Sequence, residues 1–245
     1  MTACLSCGVD QPAGAKFCIE CGAAQQTGCP ACGTAVVPGA KFCLECGTAL
    51  VGPRAPAPAV QVASRRLTSV LFGDLVGFTP LSESRDQEDV RELLSRYFEE
   101  CSRIVARYGG VVEKFIGDAV MAVWGVPTTN EDDAERSVRA GLELVAAVTA
   151  LGSEVGVPDL LMRVGIVTGE VAVTAGAEMQ GMVAGDPVNT ASRVQSAAAP
   201  GQVWVDETTR LLTNASISYA DVGSHALKGK ADPMPLWAAR AVVAK

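Results

Sequence analysis

VVEKFIGDAVMAVW, residues 111–124, is the stretch on which the fold turns. Two six-residue runs rich in β-branched and aromatic side chains, 111–116 and 119–124, flank Gly117-Asp118, and that composition predicts a tight β-hairpin. Upstream, residues 86–108 repeat apolar side chains at helical spacing and stop at Gly109-Gly110. Before them, 67–73 (LTSVLFG) reads as a buried strand. Downstream, Glu131, Asp132 and Asp133 open a second helix, with acidic residues where the helix dipole favours them, and it runs to about Leu151. A strand at 160–167 follows. Strand, helix, hairpin, helix, strand is the βαββαβ order of a ferredoxin-like α+β domain, with the helices expected on one face of the sheet. Beyond it, 187–198 reads as a helix, 203–206 as a strand and 234–239 as an edge strand.

The chain has 245 residues, room for one such domain and a small accessory module, and 49% of them are apolar, enough for a core. A formal charge of -7 argues against a general nucleic-acid binder, whose footprint is basic and clustered. No apolar run has the length of a membrane span, and MTACLSC at the start lacks the charged-then-apolar order of an export signal. A cytoplasmic protein is expected. With His225 the only histidine, any catalysis falls to carboxylates, arginines and lysines.

Eight of the nine cysteines lie in the first 46 residues, as four CxxC pairs. CLSCGVDQPAGAKFCIECG, from Cys4, and CPACGTAVVPGAKFCLECG, from Cys29, are a repeat of period 25. Two CxxC-Gly turns supply the four thiolates of a tetrahedral Zn²⁺. Cys4, Cys7, Cys18 and Cys21 are therefore expected to hold one structural ion, and Cys29, Cys32, Cys43 and Cys46 a second, two Zn²⁺ per chain. A disulfide framework and redox pairs are the alternatives; tandem doublets without an export signal fit both poorly. The pattern looks like a double zinc ribbon over 1–50, followed by a Pro/Ala-rich linker at 51–65 and the larger domain at 66–240. Within 1–50, Lys16 and Lys41 stand against Asp10, Glu20 and Glu45, a net charge of -1. A protein partner suits that balance better than nucleic acid. Cys101 stands apart in a helix, as a buried structural thiol.

In the larger domain the informative residues are the polar ones that interrupt apolar runs. Asp74 ends a strand and leads into LVGFT, a glycine-containing loop able to turn amides toward a phosphate. Asp118 occupies the hairpin turn. Two carboxylates at neighbouring strand ends could bind a pair of Mg²⁺ ions; each alone also fits a plain helix cap or turn residue. Asn189 and Arg193 are four residues apart on one helix face, where they could hold an anionic group or simply face solvent. Lys228 lies in a glycine-bearing loop, LKGKADP.

LFGDLVGFT, EKFIGDAVMAVWG, MRVGIVTGEV, AGDPVNTASRV and LKG, in this order and spacing, resemble the class III adenylyl and guanylyl cyclases over 66–239. That resemblance implies two divalent ions, Mg²⁺ or Mn²⁺, held by Asp74 and Asp118, one activating the ribose 3′-hydroxyl and the other anchoring the triphosphate. It implies that Leu75, Val76, Gly77, Phe78 and Thr79 cradle phosphates and that Arg163 pairs with the triphosphate. Asn189 would orient the ribose, Arg193 would neutralise transition-state charge, and Lys228 would hold the terminal phosphates. Lys114 matches the position that contacts adenine, which favours ATP and cyclic AMP. Met182 departs from the family's Asp or Thr at the second base-contacting position, which implies looser base selection. The resemblance also implies a homodimer with shared sites. The competing reading is a weakly active or inactive nucleotide-binding regulatory module.

Overall fold

The computed structural model describes residues 2–4, 7, 9–12, 15, 17–22, 28, 29, 31–35, 40, 42–48, 50, 63–174 and 183–243. The chain divides into two compact units, Met1–Val60 and Gln61–Lys245.

In the first unit, β1 (Thr2–Ala3) and β2 (Asp10–Gln11) form a two-residue antiparallel pair, and a lone bridge joins Gly28 to Ala35. Pairings this short are marginal by themselves, and the order lies in the cysteine turns. Gly22 N–H donates to the Cys18 carbonyl at 3.0 Å, Gly33 to Cys29 at 2.9 Å and Gly47 to Cys43 at 3.0 Å. These glycines have φ of 67°, 75° and 71°, the left-handed region that side chains resist. The glycine after CxxC is thus a backbone requirement of the turn.

The second unit runs β3 (Ala63–Leu75), α1 (Phe78–Ser84), α2 (Gln87–Arg107), β4 (Val111–Ile116), β5 (Ala119–Trp124), α3 (Asp133–Glu154), β6 (Met162–Thr174), β7 (Val183–Ala184), α4 (Asp186–Ala197), β8 (Val203–Asp206), α5 (Glu207–Thr213), β9 (Ile217–His225) and β10 (Met234–Val242). Among the described residues the sheet has eight strands in the order β4-β5-β3-β6-β8-β10-β9, with β7 paired to β6. Among these described pairs, only β6–β8 is parallel.

Both faces of this sheet are buried. Leu71, Leu75, Met162, Val164 and Ile166 pack under α2 and α3, against Leu93, Tyr97, Cys101, Ile104, Val138 and Leu144. Val70, Val167, Trp204 and Leu236 form a second core with Ala191 and Val194 of α4. The expectation of helices on one face therefore holds for α2 and α3 and fails for α4. The topology supplies the reason. β5 and β6 are both antiparallel to β3, hence parallel to each other, and the steps β5-α3-β6 and β6-α4-β8 move the same way across the sheet. With α3 and α4 on opposite faces these two crossovers have opposite hands, so one departs from the usual right-handed rule on which a one-face reading rests.

The strand at the C-terminus also needs correction. β10 pairs with both β8 and β9 and is interior; β9, unforeseen in the sequence, is the edge. Of the linker placed at 51–65, positions 51–62 lie outside the described residues, and 63–65 belong to β3.

Candidate functional site

β3 and β4 run parallel with β5 between them, so the end of β3 and the β4–β5 turn emerge at the same edge of the sheet. β5 pairs directly with β3, Gly73 opposite Val120, so Asp74 and Asp118 lie just past that pair with their backbones about one strand spacing, about 5 Å, apart. Asp118 is thereby near enough to act on the Asp74 carboxyl. The turn that delivers Asp118 depends on Gly117, whose φ is 62°. Burial raises the Asp74 carboxyl from 3.8 to about 6, helped by the charge and hydrogen bond of Asp118 and opposed by Arg163 and Gln195.

Arg163 sits directly across from Asp74 in the β3–β6 register. Its Nη1 donates to the Ser196 carbonyl at 3.4 Å, while its buried Nε has no acceptor among the described residues. Gln195, from the last turn of α4, donates its Nε2–H to Asp74 Oδ2 at 3.5 Å.

Asn189 and Arg193 lie on the same helix, six and two residues before Gln195. At about 100° per residue they are turned by about 240° and 200° from it, away from Asp74 of their own chain. Asn189 is exposed and Arg193 half-buried. The loop after β9 meets them: Leu227 is buried in the core beneath α4, and Gly229, at φ 78°, passes so close to Arg193 that an added Cβ would lie 3.2 Å from Nη2. Lys230 Nζ pairs with Asp186 Oδ2 at 2.5 Å, and Lys228 stands exposed between these anchors. The structure thus forms two groups, one of Asp74, Asp118, Arg163 and Gln195, the other of Asn189, Arg193 and the Lys228 loop.

Lys114 follows an irregularity in the β4–β5 ladder and pairs with the buried Glu113 carboxylate at 3.1 Å. Met182 lies outside the described residues. Of the phosphate-cradle residues, Leu75 belongs to β3 and Val76 gives its N–H to the Leu161 carbonyl at 2.8 Å. Gly77 is the N-cap of α1, and Phe78 and Thr79 open the helix, where first-turn amides have no intrahelical partner.

The residues present fit metal ions at both places. Asp74 and Asp118 offer hard oxygen donors whose mutual repulsion a divalent cation would relieve. In the first unit each set of four sulfurs lies within 4.8 Å. Cys4–Cys21 and Cys7–Cys18 stand at 3.7 and 3.6 Å, Cys29–Cys46 and Cys32–Cys43 at 3.5 and 3.6 Å. A tetrahedron with zinc–sulfur bonds of about 2.3 Å has edges of about 3.8 Å, close to these values. Backbone N–H groups of Glu20 and Cys21 point at Cys18 Sγ, as thiolates in a metal knuckle require. Among the described residues, no helix is long and apolar enough to cross a membrane.

Gln195, Glu113 and the Asp186–Lys230 pair were not singled out from the sequence. A glutamine on an amphipathic helix and charges beside a turn read as solvated side chains. The one available signal was position, since each lies within three residues of a residue already marked.

Residues 60–239 match the family model of the adenylate and guanylate cyclase catalytic domain, and residues 4–47 that of the double zinc ribbon. Adenylate cyclase 1 of Rhizobium meliloti (strain 1021) is 36% identical over 141 residues, covering 55% of this chain and 21% of that protein. The chain spans about a fifth of the length of such curated relatives. Among solved structures, the adenylyl cyclase CyaB from P. aeruginosa superposes with a TM-score of 0.69 at 32% identity, over 74% of this chain and 96% of that one. The guanylyl cyclase Cya2 does so with a TM-score of 0.66 at 30% identity, over 74% and 95%. The chain belongs to the adenylate and guanylate cyclase catalytic-domain family, with a double zinc ribbon ahead of that domain.

Proposed function

We propose that this chain is an adenylate cyclase, closing ATP to 3′,5′-cyclic AMP and pyrophosphate at sites shared between two copies of itself. The observation that carries the shared site is the orientation of α4, which turns Gln195 toward Asp74 while Asn189 and Arg193 point away from it. A twofold homodimer would bring Asp74, Asp118 and Arg163 of one copy to Lys114, Met182, Asn189, Arg193 and Lys228 of the other.

In that site Asp74 and Asp118 would hold two Mg²⁺ or Mn²⁺ ions. When bound, these ions lower the pKa of the ribose 3′-hydroxyl and neutralise phosphate charge. Arg163, with a buried and unused Nε–H, is placed to donate to a triphosphate oxygen. Asn189 orients the ribose so that its 3′-oxygen attacks the α-phosphorus in line and pyrophosphate leaves. Arg193, braced by Gly229, neutralises the charge that builds on the α-phosphate, and Lys228 holds the terminal phosphates. Lys114 supports ATP. Met182, able neither to accept the adenine amino proton nor to donate, supports a second reading in which GTP is also used. Two Zn²⁺ ions would hold the ribbons, which suit a protein partner.

Incubation of the purified chain with Mn²⁺ and either ATP or GTP, with products identified by mass, tests the reaction. Cyclic AMP is expected, and no cyclic nucleotide from either substrate would end the enzyme reading. Mixing the inactive variants Asp74→Ala and Asn189→Ala tests the shared site, because one site of the heterodimer escapes both lesions. Activity should return; heterodimers that form and stay inactive would refute it.

A further inference from the structure

We propose that Gln195 is a positioning residue for the divalent-ion site, its side-chain amide fixing the Asp74 carboxylate in the orientation that an ion takes. The inference rests on the reading of Asp74 and Asp118 as metal carboxylates.

Gln195 is only 7% exposed, unusual for a glutamine on a helix with a solvent face. Its backbone is pinned, because α4 presses on β6 where Gly165 has no side chain: a Cβ there would lie 2.2 Å from Gln195 N and 2.7 Å from its Cα. Ser196 Oγ, whose hydroxyl also reaches the Ser192 carbonyl at 3.0 Å, lies 3.3 Å from Gln195 Oε1 at the other end of the amide. With Oε1 on that side, Nε2 faces Asp74 Oδ2, 3.5 Å away.

The chemistry of the side chain suits the task. A lysine or arginine there would orient Asp74 but add a positive charge beside Arg163 and compete with the ion. A glutamate would add a third carboxylate to a pair that already repels. A neutral amide donor occupies one lone pair of Oδ2 and leaves the negative charge of the pair intact, the usual service of an outer-shell partner to a metal ligand.

The test is Gln195→Met, which keeps the length and removes the donor. Mn²⁺ affinity is read by electron paramagnetic resonance with 3′-deoxy-ATP, which lacks the attacking hydroxyl and cannot react. Affinity should weaken about tenfold, the scale of a lost outer-shell contact, with turnover at saturating Mn²⁺ within about threefold of wild type. Tm should be unchanged. Unaltered Mn²⁺ affinity would overturn the inference, as would a joint fall of affinity, saturated turnover and Tm, which marks a merely structural role. A wild type that binds no Mn²⁺ would overturn the metal reading itself, and the inference with it.

Discussion

Gly165→Ala should separate the sheet from α4 more cleanly than any change in the site itself. Its added Cβ would stand 2.2 Å from Gln195 N, 2.6 Å from the Ala191 carbonyl oxygen and 2.7 Å from Gln195 Cα, about 1 Å short of ordinary contact with each. All three are helix backbone, so no rotamer change relieves them. α4 must lift bodily from β6, loosening Val194 and Ala191 in the core and drawing Gln195 from Asp74. Overpacking costs about 1–3 kcal/mol, and a rigid backbone neighbour puts this case at about 3, less the few tenths to about 1 kcal/mol that alanine regains over glycine in the unfolded chain. For a domain of this size each kcal/mol is about 2–4 °C, so Tm should fall by roughly 4–10 °C. Gly73→Ala is the control. Its Cβ would also approach too closely, 2.6 Å, but the neighbour is the terminal methyl of Met162, which can swing aside. That variant should lose less than about 1 kcal/mol, given the adaptability of methionine. Urea unfolding of both, with Mn²⁺ affinity alongside, decides the matter. Equal stability of Gly165→Ala and wild type, or equal losses in the two variants, would refute the reasoning.

Asp74→Ala or Asp118→Ala should each lower cyclase turnover by at least about a hundredfold with little change in unfolding midpoint, since a transition-state charge partner is lost; near-wild-type turnover of either would remove the two-carboxylate site. In buffer free of Mg²⁺ and Mn²⁺, stability should fall as pH rises through the window from 3.8 to about 6, because the raised Asp74 pKa means that the folded state disfavours the ionised carboxyl. Asp118→Asn should flatten that slope, measured by denaturation midpoints at several pH values. Metal analysis should find two zinc ions per chain. Thiol alkylation should reach the eight ribbon cysteines only after a chelator is added, and Cys101 only after unfolding, as burial pushes its thiol up to about 12.

The hairpin was the most legible element: 111–116 and 119–124 are the observed β4 and β5, because Gly117-Asp118 admits one turn and β-branched runs on both sides admit one pairing. The helix read at 86–108 is α2, Gln87–Arg107, capped by Asp86 accepting from Glu88 N–H at 2.8 Å. α5 was missed because seven residues, ETTRLLT, hold too little periodicity to register. β9 was missed because ISYADVGSH is half exposed and carries Asp and Gly, residues that read as loop. The face of α4 could not be read at all, since amphipathic spacing shows that a helix has a buried side and says nothing of which face of the sheet receives it. The contact of Gln195 with Asp74 joins positions 121 apart in the chain, a distance at which only the assembled sheet brings them together.

α4 touches Asp74 of its own chain through Gln195, and Arg163 through the Ser196 carbonyl, while presenting Asn189 and Arg193 outward. In the proposed twofold dimer those outward residues serve the other site, so one rigid helix is a lever with an arm in each. Nucleotide that draws Arg193 at one site would tilt the helix and shift Asp74 at the second. The two sites are then mechanically linked, and substrate saturation should deviate from a simple hyperbola. The reconstituted heterodimer of Asp74→Ala and Asn189→Ala, with one working site, should turn over at something other than half the wild-type rate, because the site that remains has lost the response of its neighbour.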